Sequence, residues 1–223
     1  MQNLKLLFGV IIGTLIMIVG AGWLFSWQTN QVKQQAEQVV EESRLVGENP
    51  HVKGATESAR FTIVEFSDFQ CPACAAFSAP VKSVVSQYSK DVRLVYRHLP
   101  LTTIHANALA GARAAEAAAA QGKFWEMHDL LFSTQKDWSK QGNPTDHFVG
   151  LAKQLGLDEA AFREKMNDPA VAQRIAADQQ LSRELQIMST PSFYLNGKAM
   201  EFSEIEAQLR AELGGATSSQ SQQ

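Results

Sequence analysis

Cys71 and Cys74 are the only cysteines in a chain of 223 residues, and they sit with two residues between them in Glu65-Phe66-Ser67-Asp68-Phe69-Gln70-Cys71-Pro72-Ala73-Cys74. Such a pair can cycle between dithiol and disulfide, because a thiolate is both the nucleophile and the leaving group of disulfide exchange. Two other readings compete. A zinc half-site would need two further ligands; no other cysteine exists, and His51, His98, His105, His128 and His147 are spread without ligand spacing. A static disulfide of this span closes too small a loop to constrain the chain much. Redox cycling is the favoured chemistry, with no metal expected.

The compartment decides how far that chemistry can be trusted. Leu6 to Trp27 carries no charged residue, and at about 1.5 Å per residue it spans roughly 33 Å as a helix, enough to cross a bilayer. Trp23 and Trp27 lie near its far end, where interfacial aromatics belong. Lys5 and the amino terminus are positive on the near side, and Lys33 and then Glu37, Glu41 and Glu42 follow on the far side. This bias places residue 1 in the cytoplasm and the rest outside. A cleaved signal peptide ending near Val19-Gly20-Ala21 is the rival, and it exports the domain equally. The expected location is the inner or plasma membrane, single-pass, with the domain on the periplasmic side. The Lys and Arg residues, 20 in all, are scattered and the formal net charge is -3, which argues against a nucleic-acid partner.

The elements that must position the cysteines read as follows. Phe61 to Phe66 is a dense apolar run with β-branched residues, the mark of a buried central strand, which makes Glu65 an anomaly inside it. From Pro72 the period changes: Cys74, Phe77, Val81, Val84, Val85 and Tyr88 line one helical face, with Pro72 suited to the first turn and Pro80 expected to kink the middle. Cys71 thus lies at a helix N-terminus, where unpaired amides and the dipole ease ionisation. Cys74, one turn on, should be the more buried, resolving thiol. Ala73 offers no polar side chain, so backbone amides must do the rest. Val92 to His98 alternates as a strand, and strand-helix-strand order implies a parallel pair.

The remaining chain supplies the frame. His51-Val52-Lys53 reads as a short edge strand, and Gln28 to Glu42 as a helical stalk. An alanine-rich helix is expected over 105–121, a second over 124–132, a loop over 133–145, and short helices over 148–155 and 159–166. Asp168-Pro169 should cap and open a longer helix reaching about Gln186. Ser192 to Leu195 and Lys198 to Met200 read as a hairpin around Asn196-Gly197. Ser203-x-x-Glu206 reads as a capping box for a last helix, ended by Gly214-Gly215. Trp125 and Met127 read as core, His98 as a hydrogen-bonded structural residue, and Trp138 as part of a polar loop.

The ordered set of motifs resembles the DsbA-like branch of the thioredoxin superfamily. It comprises Phe61 to Cys74, Tyr96-Arg97-His98-Leu99-Pro100, Gly122-Lys123-Phe124-Trp125-Glu126-Met127-His128 and Thr190-Pro191-Ser192-Phe193. The resemblance covers about residues 50 to 213. It implies an α/β thioredoxin fold with an inserted helical domain, here preceded by an N-terminal transmembrane helix. The expected layout is a cytoplasmic stretch 1–5, a signal-anchor 6–27, a stalk 28–50, the thioredoxin domain 51–213 with its insertion at about 102–187, and a disordered tail 214–223. The resemblance also implies that Thr190-Pro191 is the Xaa-cis-Pro element facing the cysteines, with Thr190, Pro191, Pro72 and Ala73 contacting substrate. Glu65 takes the place of the buried acid beneath the cysteines. Burial would raise its pKa and let it exchange a proton as Cys74 reacts. The implied activity is that of a membrane-anchored thiol-disulfide oxidoreductase without cofactor. It would oxidise exported proteins that contain cysteines and be reoxidised by a membrane partner of the DsbB or VKOR kind. A reductase or isomerase, or a peptide-holding module without catalysis, remains open, since Ala73 and Thr190 leave the direction undecided.

Overall fold

The computed structural model describes residues 17, 19–26, 39–56 and 59–214. The chain falls into two units, Met1–Val39 and Val40–Gln223. In the first, residues 19–26 are helical. Most of the expected span Leu6 to Trp27, the stalk up to residue 38 and the tail beyond 214 lie outside the described residues. Among the described residues no helix is long and apolar enough to cross a membrane.

The second unit is built on a five-stranded sheet in the order β1-β3-β2-β4-β5, formed by β1 (His51–Gly54), β2 (Phe61–Ser67), β3 (Val92–His98), β4 (Ser192–Leu195) and β5 (Lys198–Ala199). All seven residues of β2 are buried, as its unbroken apolar pattern requires of a central strand. It pairs in parallel with β3, Glu65 opposite Tyr96 and Ser67 opposite His98, and antiparallel with β4, Phe66 opposite Ser192. Helix α2 (Pro72–Gln87) makes the crossover between β2 and β3. The hairpin β4-β5 turns at Asn196 and Gly197, both with positive φ (47° and 86°), the geometry an Asn-Gly turn adopts without strain.

The sheet's alternation sorts its side chains into two cores. Phe61, Ile63, Val92 and Leu94 face Val81, Val84 and Val85 of α2 and the apolar stripe of the last helix, α9 (Phe202–Leu213). On the other face Val64, Phe66, Val95 and Tyr194 pack with Leu45 and Ile187. Leu45 belongs to α1 (Glu42–Val46), a short helix at the end of the expected stalk; Glu42 accepts hydrogen bonds there from Thr62 Oγ1 at 2.7 Å and Arg93 Nη2 at 2.9 Å.

Between β3 and β4 lies the helical insertion: α3 (Ala108–Ala119), α4 (Phe124–Ser133), α5 (Gln135–Trp138), α6 (Thr145–Gln154), α7 (Glu159–Met166) and α8 (Pro169–Glu184). Asp158 and Asp168 cap α7 and α8 by accepting from Ala161 N and Ala170 N, both at 2.8 Å. Three local expectations need correction. The alanine-rich helix starts at Ala108 rather than His105, because the backbone N–H groups of Leu101 and Asn107 are drawn to the side chains of Asp68 and Gln70. The stretch expected as a polar loop holds α5, and Trp138 is fully buried, its Nε1 donating to Leu131 O at 2.9 Å. Room for that indole comes from Gly111, where an added Cβ would meet Phe69 Cβ at 3.2 Å and the Trp138 ring at 3.3 Å. Last, α9 begins at Phe202 with a reciprocal box between Glu201 and Glu204, which places Ser203 inside the helix.

Candidate active site at the start of helix α2

Strand β2 ends at Ser67, and the next four residues turn the chain into α2. Cys71 is the N-cap, with extended backbone, and Pro72 occupies the first helical turn. Cys71 is 7% exposed and Cys74 is fully buried, while Pro72 and Ala73 face solvent. Across from them the Thr190–Pro191 peptide is cis, immediately before β4. This turns the Thr190 carbonyl to the cysteines, where it accepts from Cys71 Sγ at 3.5 Å. The fold therefore brings Cys71, Pro72, Ala73, Thr190 and Pro191 to one surface, while Cys74 and Glu65 are buried.

The two sulfurs are inequivalent. Cys71 has its pKa pulled down to about 5, first by the hydrogen bond from the Cys74 thiol, then by Thr190 and the backbone amides of Ala73 and Cys74 at the helix start. Burial pushes the Cys74 thiol far up, and its hydrogen bond to Cys71 pushes the same way. At neutral pH the reduced pair is thus an outer thiolate held by an inner thiol. Glu65 is 1% exposed and its Oε1 has no hydrogen-bond partner among the described residues. Desolvation raises its pKa to about 7, so that it holds or releases a proton near neutrality.

Several residues that fix this geometry carried no signal in the sequence. Asp68 accepts from Gln70 N at 2.7 Å and Leu101 N at 2.9 Å, and pairs with His105 Nδ1 at 2.7 Å. Gln70 donates to Ser139 O at 2.7 Å and accepts from Asn107 N at 2.6 Å. Gln135 of α5 donates to Phe69 O at 2.8 Å and Cys71 O at 3.0 Å. The active-site turn is therefore stapled to the insertion at three points. Each staple joins residues at least 33 positions apart, which no local pattern displays.

The histidines also come closer than their spacing implied. His51 on β1 and His98 on β3 reach the same carboxylate, Glu116 of α3, each with Nε2 at 2.7 Å from Oε1, and the three ligand-capable atoms lie within 4.8 Å. The juxtaposition arises because β1 pairs with β3, a contact that spacing cannot encode. Arg174 Nε donates to the same oxygen at 2.8 Å. Two imidazoles and a guanidinium already converge on Oε1, and the permanent positive charge beside it opposes a cation. The cluster reads as an ionic staple between the sheet, α3 and α8. Burial alone would raise Glu116, but the hydrogen bonds from His51 and His98 outweigh it and hold this carboxyl well below the usual range.

Residues 47–213 match the thioredoxin family. Among solved structures, a thioredoxin-like oxidoreductase from Silicibacter pomeroyi DSS-3 is 30% identical, with 80% of this chain and 98% of that one covered and a TM-score of 0.64. BdbD from Bacillus subtilis is 22% identical, over 80% of this chain and 97% of that one, with a TM-score of 0.64. The α-DsbA1 of Wolbachia pipientis, 18% identical over 78% of this chain and 97% of that one, has the same TM-score, 0.64. At those identities the last two show the shared fold. Curated relatives include a Na(+)/H(+) antiporter of Salinispora tropica, 43% identical over 148 residues, and one of Herminiimonas arsenicoxydans, 32% identical over 195. These alignments cover 66% and 85% of this chain but only 22% and 30% of the two antiporters.

Proposed function

We propose that this chain, which belongs to the thioredoxin family and has the fold of DsbA-like thiol-disulfide oxidoreductases, works chiefly as a disulfide donor to exported proteins. The observation that carries the direction is the inequality of the two sulfurs. A thiolate as stable as that of Cys71 favours the reduced pair, so the Cys71–Cys74 disulfide is readily given away. A substrate thiolate attacks Cys71 and expels Cys74; the substrate's second thiolate then attacks the mixed disulfide and releases Cys71 as a thiolate. The Thr190 carbonyl beside Cys71 offers an acceptor for a peptide laid across the cleft, with Pro72, Ala73 and Pro191 forming its walls.

The chain is held at a membrane by its uncharged run from Leu6 to Trp27, with the thioredoxin unit on the outer side and a DsbB- or VKOR-like protein as oxidant. The match to the antiporters covers less than a third of their length, and ion exchange is not carried over from it.

The test is equilibration of the Cys71–Cys74 pair against glutathione buffers. A donor gives a potential towards the DsbA end, about -120 mV, whereas a value near about -270 mV, as in thioredoxin, makes the chain a reductase and overturns the direction. Full complementation of a disulfide-formation defect by a Cys71→Ser chain would leave only a peptide-holding role.

A further inference from the structure

The chain has nine arginines, and eight of them meet a carboxylate or a side-chain amide oxygen, as Arg97 meets Asp178 and Arg163 meets Asp146. Arg113 is the exception. It is half-buried on α3, its Nε is shut off from water, and it makes no hydrogen bond or ion pair among the described residues. A guanidinium never gives up its charge, and a shielded N–H without an acceptor costs stability, so the group calls for an explanation. The one acid of α3, Glu116, stands three residues further on, but it accepts from His51, His98 and Arg174 instead.

Arg113 lines a cavity of about 250 Å³, together with Leu109 and Ala110 of α3, Thr145 at the start of α6, Met166 at the end of α7 and Asn167 beyond it. The acids beside this lining are already engaged. Asp146 holds Arg163 Nη2 at 3.0 Å, and Asp168 holds Lys165 Nζ at 2.6 Å. The carbonyls that end α7 are capped as well: Arg163 O accepts from Asn167 Nδ2 at 3.0 Å, Glu164 O from Asn167 N at 2.9 Å and Lys165 O from Asp168 N at 3.1 Å. Thr145 brings the positive end of a ten-residue helix to the same wall. The positive charge in this cavity therefore has no counter-charge among the described residues.

We propose that the cavity binds a small organic carboxylate, its acid group on the Arg113 guanidinium and its short apolar chain against Leu109, Ala110 and Met166. A guanidinium presents a planar fork that matches the two oxygens of a carboxylate. The apolar part of the lining favours carbon over a second charge. The volume lies below the roughly 300–1,000 Å³ of pockets for drug-sized ligands, so the ligand has few heavy atoms. The site belongs to the helical insertion, includes neither cysteine, and stands independently of the exchange function.

The test is an NMR titration of the ¹⁵N-labelled full chain with sodium pentanoate, and in parallel with inorganic phosphate, for wild type, Arg113→Gln and Ala106→Leu. Ala106 is exposed and also lines the cavity, so its enlargement fills the site while keeping the guanidinium. Wild type should bind pentanoate, with shifts centred on residues 106–113, 145 and 166–167, and its melting temperature should rise with ligand concentration. Arg113→Gln should weaken binding by at least about tenfold, the least expected from losing a charge-assisted hydrogen-bonded pair. Ala106→Leu should weaken it too. Because Arg113 has no partner to lose, Arg113→Gln without ligand should melt no lower than wild type. No pentanoate binding by wild type, or equal affinity in wild type and Arg113→Gln, overturns the site. Phosphate bound as tightly as pentanoate overturns the organic acid as its ligand, and a lowered melting temperature in Arg113→Gln gives the guanidinium a structural role instead.

Discussion

Glu65 and Glu116 are both buried carboxylates at the same end of the sheet, 1% and 6% exposed, yet their surroundings have opposite effects. Glu116 takes three N–H donors on one oxygen, from His51, His98 and Arg174, and stays ionised. Among the described residues Glu65 Oε1 has no hydrogen-bond partner, and its pKa rises to about 7. Desolvation acts on both; only one is compensated by partners. A saturated carboxylate is a fastener with a fixed charge. An unsaturated one is a group whose proton can be moved near neutrality, held at a cost to stability. Arg97 and Asp178 repeat the fastener pattern on the other face of the sheet. Arg97 Nη1 meets Asp178 Oδ1 at 2.6 Å, and Asp178 Oδ2 accepts from His98 N at 2.9 Å.

Removing the fastener should have the largest effect on stability. Glu116→Ala strands two imidazole donors and a guanidinium, and we expect a loss of about 3–5 kcal/mol in urea unfolding. Because the folded pKa of Glu116 is depressed, its contribution is fully present above the unfolded value of about 4.5 and fades as pH falls through the folded value. The gap between wild type and Glu116→Ala should therefore narrow in acid. A variant that unfolds at the wild-type urea concentration at pH 7 would refute the staple.

Glu65→Gln should do the reverse. The folded state holds the Glu65 proton more tightly than the unfolded state does, so ionising it costs stability that is absent below about pH 4.5, grows as pH rises to about 7, and is constant above. Glu65→Gln removes this dependence, gaining up to about 3 kcal/mol over wild type between pH 5 and pH 8. Disulfide exchange should meanwhile slow. Parallel stability-pH curves for the two proteins would show that Glu65 titrates normally. The smallest effect belongs to Arg174→Ala. Its side chain is 28% exposed, and Glu116 keeps both histidines, so a loss of about 1 kcal/mol or less is expected by thermal melts, diminished by salt.

Much of the architecture was legible because its signals are local. The apolar run of β2, the change of period at Pro72, the Asp168 cap and the Asn196-Gly197 turn each depend on neighbours within a few residues. Where a local signal had a close competitor, the tertiary environment chose. Glu201 rather than Ser203 caps the last helix, and Trp138, set among polar residues in the sequence, found the cavity over Gly111. The anomaly of Glu65 was readable as charge inside an apolar strand.

By itself the sequence determined the chemistry: two thiols at a helix start, a buried acid behind them, and a Thr-Pro pair in the order its resemblance requires. The tertiary structure alone decided which carboxylate is left short of partners and which is a fastener, and which residues staple the turn that carries the cysteines. The reason is physical. A side chain's type sets what it can donate or accept, but its pKa and its role depend on desolvation and on partners brought from distant parts of the chain. Glu65 and Glu116 are the same residue until the fold supplies His51, His98 and Arg174 to one and withholds them from the other.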